Sequence, residues 1–554
     1  MREFEKMRAG LLYNCLDPEV SAGYWQALAL CERLRATRDK TEQEKILCEL
    51  VPALPATASI ETPFFCDTGT GIELEANVRV GPGCVFNDTG VIHIGANTDI
   101  GPGCQLCTPH HPIDAELRKT EVQYAFPIRI GANCRLGANV IVCPGVSIGD
   151  NCVIAPGSVV TRDIPPRSLA AGCPAGVVAS LEEGRSEDEP RLHVRDTRIR
   201  ELCASLETIP PDEDEYEQVL EALLPQRMRE AMVMPPFVCA RGSNITLGEG
   251  SFVNYNATFW DEAGIRIGKH TLIGPNCQLY ASPSLAGPGK NADIRIGDDC
   301  WLGGGVTVVP GASIGDRCII AAGSVVCSDI PSDSLAAGCP AVVKRRLGAC
   351  GEGAEACAKD QALPANASMN TLSMSELERM RAGLLYDFAV AEVVQSNARA
   401  RRLCASLQKA SRNEQAEIVR DLVPSVPESV HITPPFHCDH GHGLVLGDHV
   451  YFNADCVALD SGRISIGAHT LFGPKCQLYT PQHPIDYRER RKTRESALSI
   501  TIGSNCWFGA GCVVCPGVRI GNNCVIAAGS VVCHDIPDNV LCAGRPAKIK
   551  RSLA

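Results

Sequence analysis

CQLYTPQHPID, residues 476–486, interrupts a run of aliphatic-glycine pairs whose spacing decides the fold. Outward from it, Ile466-Gly467, Ile502-Gly503, Ile520-Gly521 and Ile526 stand 36, 18 and 6 residues apart, all multiples of six. A near-identical phrase, CQLCTPHHPID at 104–114, is flanked by Ile94-Gly95, Ile130-Gly131, Ile148-Gly149 and Ile154 at the same separations. A middle stretch carries Leu247-Gly248, Ile267-Gly268, Ile296-Gly297, Ile314-Gly315 and Ile320. A hexad does not match the three-to-four-residue return of a helical stripe. It predicts short parallel strands, three to a triangular coil, with the aliphatic side chain inside and glycine at the turn.

The hexads fall into three runs, and the phrase MRAGLLY at 7–13 returns at 380–386, so two of the runs share one kind of helical lead. The expected organisation is a helical cap at 1–62, a coil at 63–180, a charged linker at 181–196 and a shortened cap at 197–235. A second coil at 236–347, an Ala/Gly-rich connection at 348–373, a third cap at 374–433 and a third coil at 434–554 complete it.

A net charge of -12 with both signs mixed argues against nucleic acid or an anionic membrane as partner. No apolar run is long enough to span a bilayer, and MREFEKMRAG has no apolar signal core, so the expected location is cytoplasmic. Thirty cysteines would suggest disulfides in a small secreted protein. Here Cys104, Cys134, Cys152, Cys300, Cys318, Cys476, Cys506 and Cys524 all occupy the fifth hexad position, where a free thiol packs as a small apolar residue. No cysteine or histidine cluster has metal-site spacing, so no metal is expected.

With the hexads, the HPID phrase and the helical lead in hand, the chain resembles the hexapeptide-repeat acyltransferases, and among them the maltose and galactoside O-acetyltransferases. The resemblance implies a mainly β fold of left-handed parallel β-helices, each with a small α-helical cap. It also implies a trimer with sites between neighbours, which three fused copies could form as an intramolecular pseudo-trimer, the protein acting as a monomer. In that family an acetyl group passes from acetyl-CoA to a sugar hydroxyl without a covalent enzyme intermediate. A hydroxyl needs a base as it attacks, and histidine titrates near working pH. By motif match the bases are His111 and His483. The match assigns Asn254, Asp261, Asn453 and Asp460 to the sugar, with Asp67 and Asp439 at its rim. It assigns Trp301, Gly304, Ala322 and Arg345 of the second coil to the coenzyme groove. On the third coil it assigns Trp507, Ala510, Ala528, Cys533, His534, Lys548 and Arg551.

The copies are unequal. Val80 to Ile94 spans 14 residues where Leu247 to Ile267 and Leu446 to Ile466 span 20, so the first unit is expected to lack one hexad and to bring Asn87 and Asp88 together. It has Arg135 in place of tryptophan, and the second unit's loop, YASPSLAGPG, has no histidine. If each base serves the preceding unit's sugar coil, His483 meets Asn254 and Asp261, His111 meets Asn453 and Asp460, and the two defects share one interface. The opposite sense leaves only His111 with Asn254 and Asp261. A non-catalytic solenoid scaffold and an acetyltransferase with an amine acceptor are the alternative functions.

Overall fold

In this computed structural model the described residues are 1–37, 39–181, 196–207, 209, 211, 213–283, 291–347 and 374–553. The linkers expected at 181–196 and 348–373 lie almost wholly outside them.

Each hexad run winds into a coil of three parallel sheets. In the first, Ser59–Ile60, Arg79–Val80, Asp99–Ile100, Arg135–Leu136 and Val153–Ile154 stack in register along one face. Each coil ends in an antiparallel pair, such as Val540–Ala543 with Lys548–Ser552. The aliphatic at the first hexad position points inward: Ile94, Ile130, Ile148 and Ile154 are all buried. The following glycine is required because coils stack closely; a Cβ on Gly95 would sit 2.5 Å from the Ala132 nitrogen. The fifth-position cysteines are free and buried, and their thiols donate to carbonyls of the next coil, as in Cys104 Sγ to Gly137 O at 3.1 Å and Cys506 Sγ to Gly521 O at 3.1 Å.

Strand register corrects one expectation. Ile60, Val80 and Ile100 pair in sequence at intervals of 20, as do Val233, Val253 and Ile273, and Ile432, Phe452 and Phe472. Leu74 pairs with Ile94, so Val80 is the counterpart of Val253 and Phe452, not of Leu247 and Leu446. The first coil lacks no hexad. Leu74 is followed by Glu75 instead of glycine, which hides the first pair from a search for the repeat. What the first coil lacks is the asparagine after this strand. Gly81 stands where Asn254 and Asn453 stand, and a Cβ there would lie 2.8 Å from the Pro102 nitrogen.

Helices Pro18–Ala36 and Lys40–Leu50 cap the first coil, Thr197–Leu206 and Asp214–Leu223 the second, and Ala391–Leu407 and Arg412–Leu422 the third. Aspartate oxygens cap the first pair, Asp17 accepting from Glu19 N and Asp39 from Glu42 N.

Every coil touches both others. Arg118 of the first unit donates to Asn505 O of the third at 2.7 Å, and Arg490 of the third to Asp299 O of the second at 2.7 Å. Gln278 of the second donates to Asn139 Oδ1 of the first. Lys475 reaches Gly83 O at 2.7 Å, and Arg545 reaches Gly323 O at 3.1 Å. A narrow cavity of about 80 Å³ between the coils is lined by residues of all three.

Candidate functional site

The two HPID loops each reach across to a neighbouring coil. His111 and His110 meet the edge of Trp507, with ring centroids 5.4 and 5.3 Å apart. His483 meets Trp301 at 5.4 Å and 90°. A cavity of about 340 Å³ opens beside His111, lined by Asn453, Leu471, Trp507, Ala510 and Ala528 of the third unit. One of about 450 Å³ opens beside His483, lined by Asn254 of the second unit with Asp439, Ser461 and Glu495 of the third. His111 thus lies with Asn453 and His483 with Asn254.

An arginine seven residues beyond each histidine holds its loop. Arg118 donates to Pro112 O at 2.8 Å and Ile113 O at 3.0 Å while crossing to Asn505 O. Arg490 repeats this with Pro484 O at 2.7 Å and Ile485 O at 2.9 Å while crossing to Asp299 O. One guanidinium therefore fixes both the histidine loop and its position against the neighbouring coil. Residue matching to the family phrase passed over this pair, although an arginine at the same offset in both copies was visible.

Burial depresses both histidines. His111 is pushed down to about 3 by burial, then by Arg118 and His110, and stays neutral at physiological pH. His483 is lowered by burial and, more weakly, by Arg490, against the opposing pull of Glu495. Glu495 Oε2 lies 3.2 Å from His483 Nδ1, and its Oε1 accepts a hydrogen bond from the Tyr386 hydroxyl. The corresponding strand of the first unit carries Gln123, which bonds the Tyr13 hydroxyl. The two clefts therefore differ by one carboxylate.

The asparagines are oriented by backbone. Asn453 Oδ1 accepts from Ala454 N at 2.7 Å and Asn254 Oδ1 from Tyr255 N at 2.8 Å, which leaves the amide nitrogen of each as the group it can offer. Asp67 and Asp439 are both pushed up to about 8, by burial first and then by Asp88 and Asp460 respectively. Asp67 Oδ1 accepts from Asn87 Nδ2 at 2.9 Å, and Asp439 Oδ2 accepts from Ser461 Oγ at 3.3 Å.

Other expected site residues fall elsewhere. Asp261 and Asp460 are fully buried and line neither cleft. Asp261 accepts from the backbone N–H groups of Ala240, Arg241 and Asn244, and Asp460 from those of His440, Gly441 and Gly443. Their carboxylates hold turns together, which corrects the expectation that they grip substrate. Cys533, His534, Lys548 and Arg551 do not line the His111 cleft, and Gly304, Ala322 and Arg345 do not line the His483 cleft. Gly304 packs against the neighbouring unit instead, where a Cβ would fall 2.1 Å from the Tyr479 hydroxyl oxygen.

At the remaining interface, between the second and first coils, described aromatic residues pack directly against the neighbouring unit. Trp260, Tyr280 and Ala240 pack with Ala138 in a buried cluster, and Trp260 Nε1 donates to Glu262 at 3.2 Å. Arg135 and Asp99, 3.9 Å apart, occupy the positions held by Trp301 with Leu272 and by Trp507 with Leu471. Most of the second unit's shortened loop, 284–290, lies outside the described residues.

Parallel hexad coils with a histidine loop set against a neighbouring coil define the class of acyl-transfer enzymes built from repeated hexapeptides. Family models agree. The maltose acetyltransferase hexapeptide capping motif matches residues 6–55 and 379–427, and the six-repeat bacterial transferase hexapeptide matches 293–328 and 499–534. The hexapeptide repeat of succinyl-transferase matches 127–162. A Saccharomyces cerevisiae protein named as an acetyltransferase is 43% identical over 148 residues, 27% of this chain and 76% of its own. Nodulation protein L of Rhizobium meliloti is 36% identical over 183 residues, 32% of this chain and 100% of its own. Among solved structures, the maltose O-acetyltransferase of Clostridium difficile is 36% identical, covering 33% of this chain and 99% of its own with a TM-score of 0.32. A Vibrio cholerae hexapeptide-repeat acetyltransferase complexed with acetyl coenzyme A is 38% identical, covering 33% and 100% with a TM-score of 0.31. The chain belongs to the hexapeptide-repeat acetyltransferases, and its coils are the left-handed parallel β-helices of that family. It is an acyltransferase that carries out acetyl transfer.

Proposed function

We propose that the chain moves an acetyl group from acetyl-CoA to a sugar hydroxyl at two clefts, with His111 and His483 as general bases and the single polypeptide working as its own trimer. The observation that carries this reading is the crossing of each HPID loop to a tryptophan and an asparagine on a different unit. The Vibrio cholerae relative complexed with acetyl coenzyme A and the maltose O-acetyltransferase relative support the choice of co-substrates.

The chemistry follows from the side chains. With Glu495 at Nδ1, the His483 imidazole carries its proton there and presents Nε2 as acceptor. Nε2 takes the hydroxyl proton as the sugar oxygen attacks the thioester carbonyl. The C–S bond then breaks, and the proton passes from Nε2 to the departing CoA sulfur, so the base is restored. Depressed histidine pKa values keep Nε2 unprotonated at neutral pH, at the cost of basicity; at His483 the carboxylate restores part of it. The Asn254 and Asn453 amide nitrogens are suited to donate to the oxygen that gains charge. Asp439, which lines the His483 cleft and is protonated near neutrality, can donate to sugar oxygens as well as accept.

The test is acetyl-CoA turnover with a panel of free sugars, reading both CoA thiol and acetylated sugar. Equal amounts of both are expected, and replacement of both histidines by alanine should remove them. Unchanged turnover in the double variant would overturn the reading.

A further inference from the structure

Tyr255 and Arg401, which line the His483 cleft, also line a second cavity of about 290 Å³. This second cavity is bounded by Arg401, Arg402 and Lys409 of the third cap, by Pro235 and Pro236, and by the stacked pair Tyr255 and His437. Its only described carboxylate is Glu207, already ion-paired with Arg35 at 2.8 Å. Among the described residues, none of the three cations has an ion-pair partner, and the Arg401 guanidinium reaches only the Met234 sulfur at 3.9 Å. Three cations without ion-pair partners around a roomy cavity call for an anionic, hydrogen-bonding occupant.

At the corresponding place beside the first cap the described residues enclose much less space. The MRAGLLY phrases set the first and third caps in register, so Arg401, Arg402 and Lys409 stand where the first cap has Leu28, Ala29 and Ala36. The corresponding space, between Leu28, Cys31 and the Pro434-Pro435 pair, holds about 40 Å³. Tyr24 closes on the third unit by bonding Thr433 at 3.1 Å.

Resting on the sugar-acetyltransferase reading, we infer that the His483 cleft takes an acceptor bearing an anionic group, a hexuronate or a sugar phosphate, held by Arg401, while the His111 cleft takes a neutral sugar. One chain would then acetylate two classes of acceptor.

The probes are galactose, galacturonate and glucose 6-phosphate, tested as acceptors with H111A, which leaves the His483 cleft, and H483A, which leaves the other. In H111A the KM for at least one anionic probe is expected to be about tenfold below that for galactose, from a charge-assisted contact. Adding Arg401→Ala should erase that preference without moving the galactose or acetyl-CoA KM, and Arg401→Lys should restore part of it. Preference for galacturonate alone, or for the phosphate alone, identifies the anion. Calorimetric binding of the same probes to the intact protein separates the two readings. If no sugar turns over yet anion binding depends on Arg401, the acetyl-acceptor reading fails and the subsite stands. Equal affinities for neutral and anionic probes, or an Arg401→Ala effect on acetyl-CoA instead, would overturn the subsite.

Discussion

At His483 a carboxylate touches the ring, and at His111 the same position holds Gln123, so the clefts should differ in rate and in pH response. Glu495→Gln in an H111A background is expected to lower kcat about 10–100-fold with little change in the acetyl-CoA KM, since it removes ring orientation and charge support. An unchanged kcat would contradict the proposed dyad. For the His111 cleft alone, measured in H483A, a base held at about 3 remains unprotonated through mild acid, so kcat should stay flat from pH 8 to pH 5. The same depressed pKa works against folding in acid. Its contribution to stability is complete above the ordinary histidine value of 6.5 and is lost as pH falls from there toward 3. Asp439 runs the other way: its folded pKa is raised to about 8, so the proton it can donate is lost, and activity at the His483 cleft should decline, as pH rises through 8.

The loops and coils carry the geometry that the single residues need. Arg490→Lys keeps the charge but cannot span Pro484, Ile485 and Asp299 at once, so in an H111A background it should cut turnover severalfold while lowering the melting temperature by no more than about 2–4 °C. Gly304→Ala drives a methyl into Tyr479 and should cost about 1–3 kcal/mol in chemical denaturation, because the two coils cannot part without losing neighbouring contacts. The reverse change at the equivalent position, Ala510→Gly, removes one methyl from a cluster with Ile141 and Val159 and should cost about 1 kcal/mol, less than the clash at Gly304. Much of this was legible in sequence, because a hexad with an aliphatic and a glycine has one solution for stacking. The HPID phrase marked the loops for the same reason in both copies. Two things were not. A glycine missing after Leu74 shifts the count of hexads by one, and an Asp seven residues beyond the asparagine resembles a sugar ligand although turn N–H groups consume it. Backbone hydrogen bonding leaves no mark in side-chain spacing, so only the coordinates separate a turn-holding aspartate such as Asp460 from a rim aspartate such as Asp439.

Across the whole molecule the defects gather at one place. Gly81 and Arg135 of the first unit replace the asparagine and tryptophan that line the open clefts, and Trp260 and Tyr280 of the second unit pack against Ala138 of the first. The sequence already shows which copies are damaged; how they meet depends on cross-unit contacts such as Arg118 with Asn505, which no local pattern encodes. Two open clefts of about 340 and 450 Å³ remain, each made by two units. The central claim is that these clefts work independently within one chain. Acetyl-CoA turnover on a mixed pool of neutral and acidic sugars by H111A, by H483A and by the double variant tests it most directly. Each single variant should keep part of the rate, the two parts should add up to the parent rate, and the double variant should be silent; loss of all turnover in either single variant would contradict two independent sites.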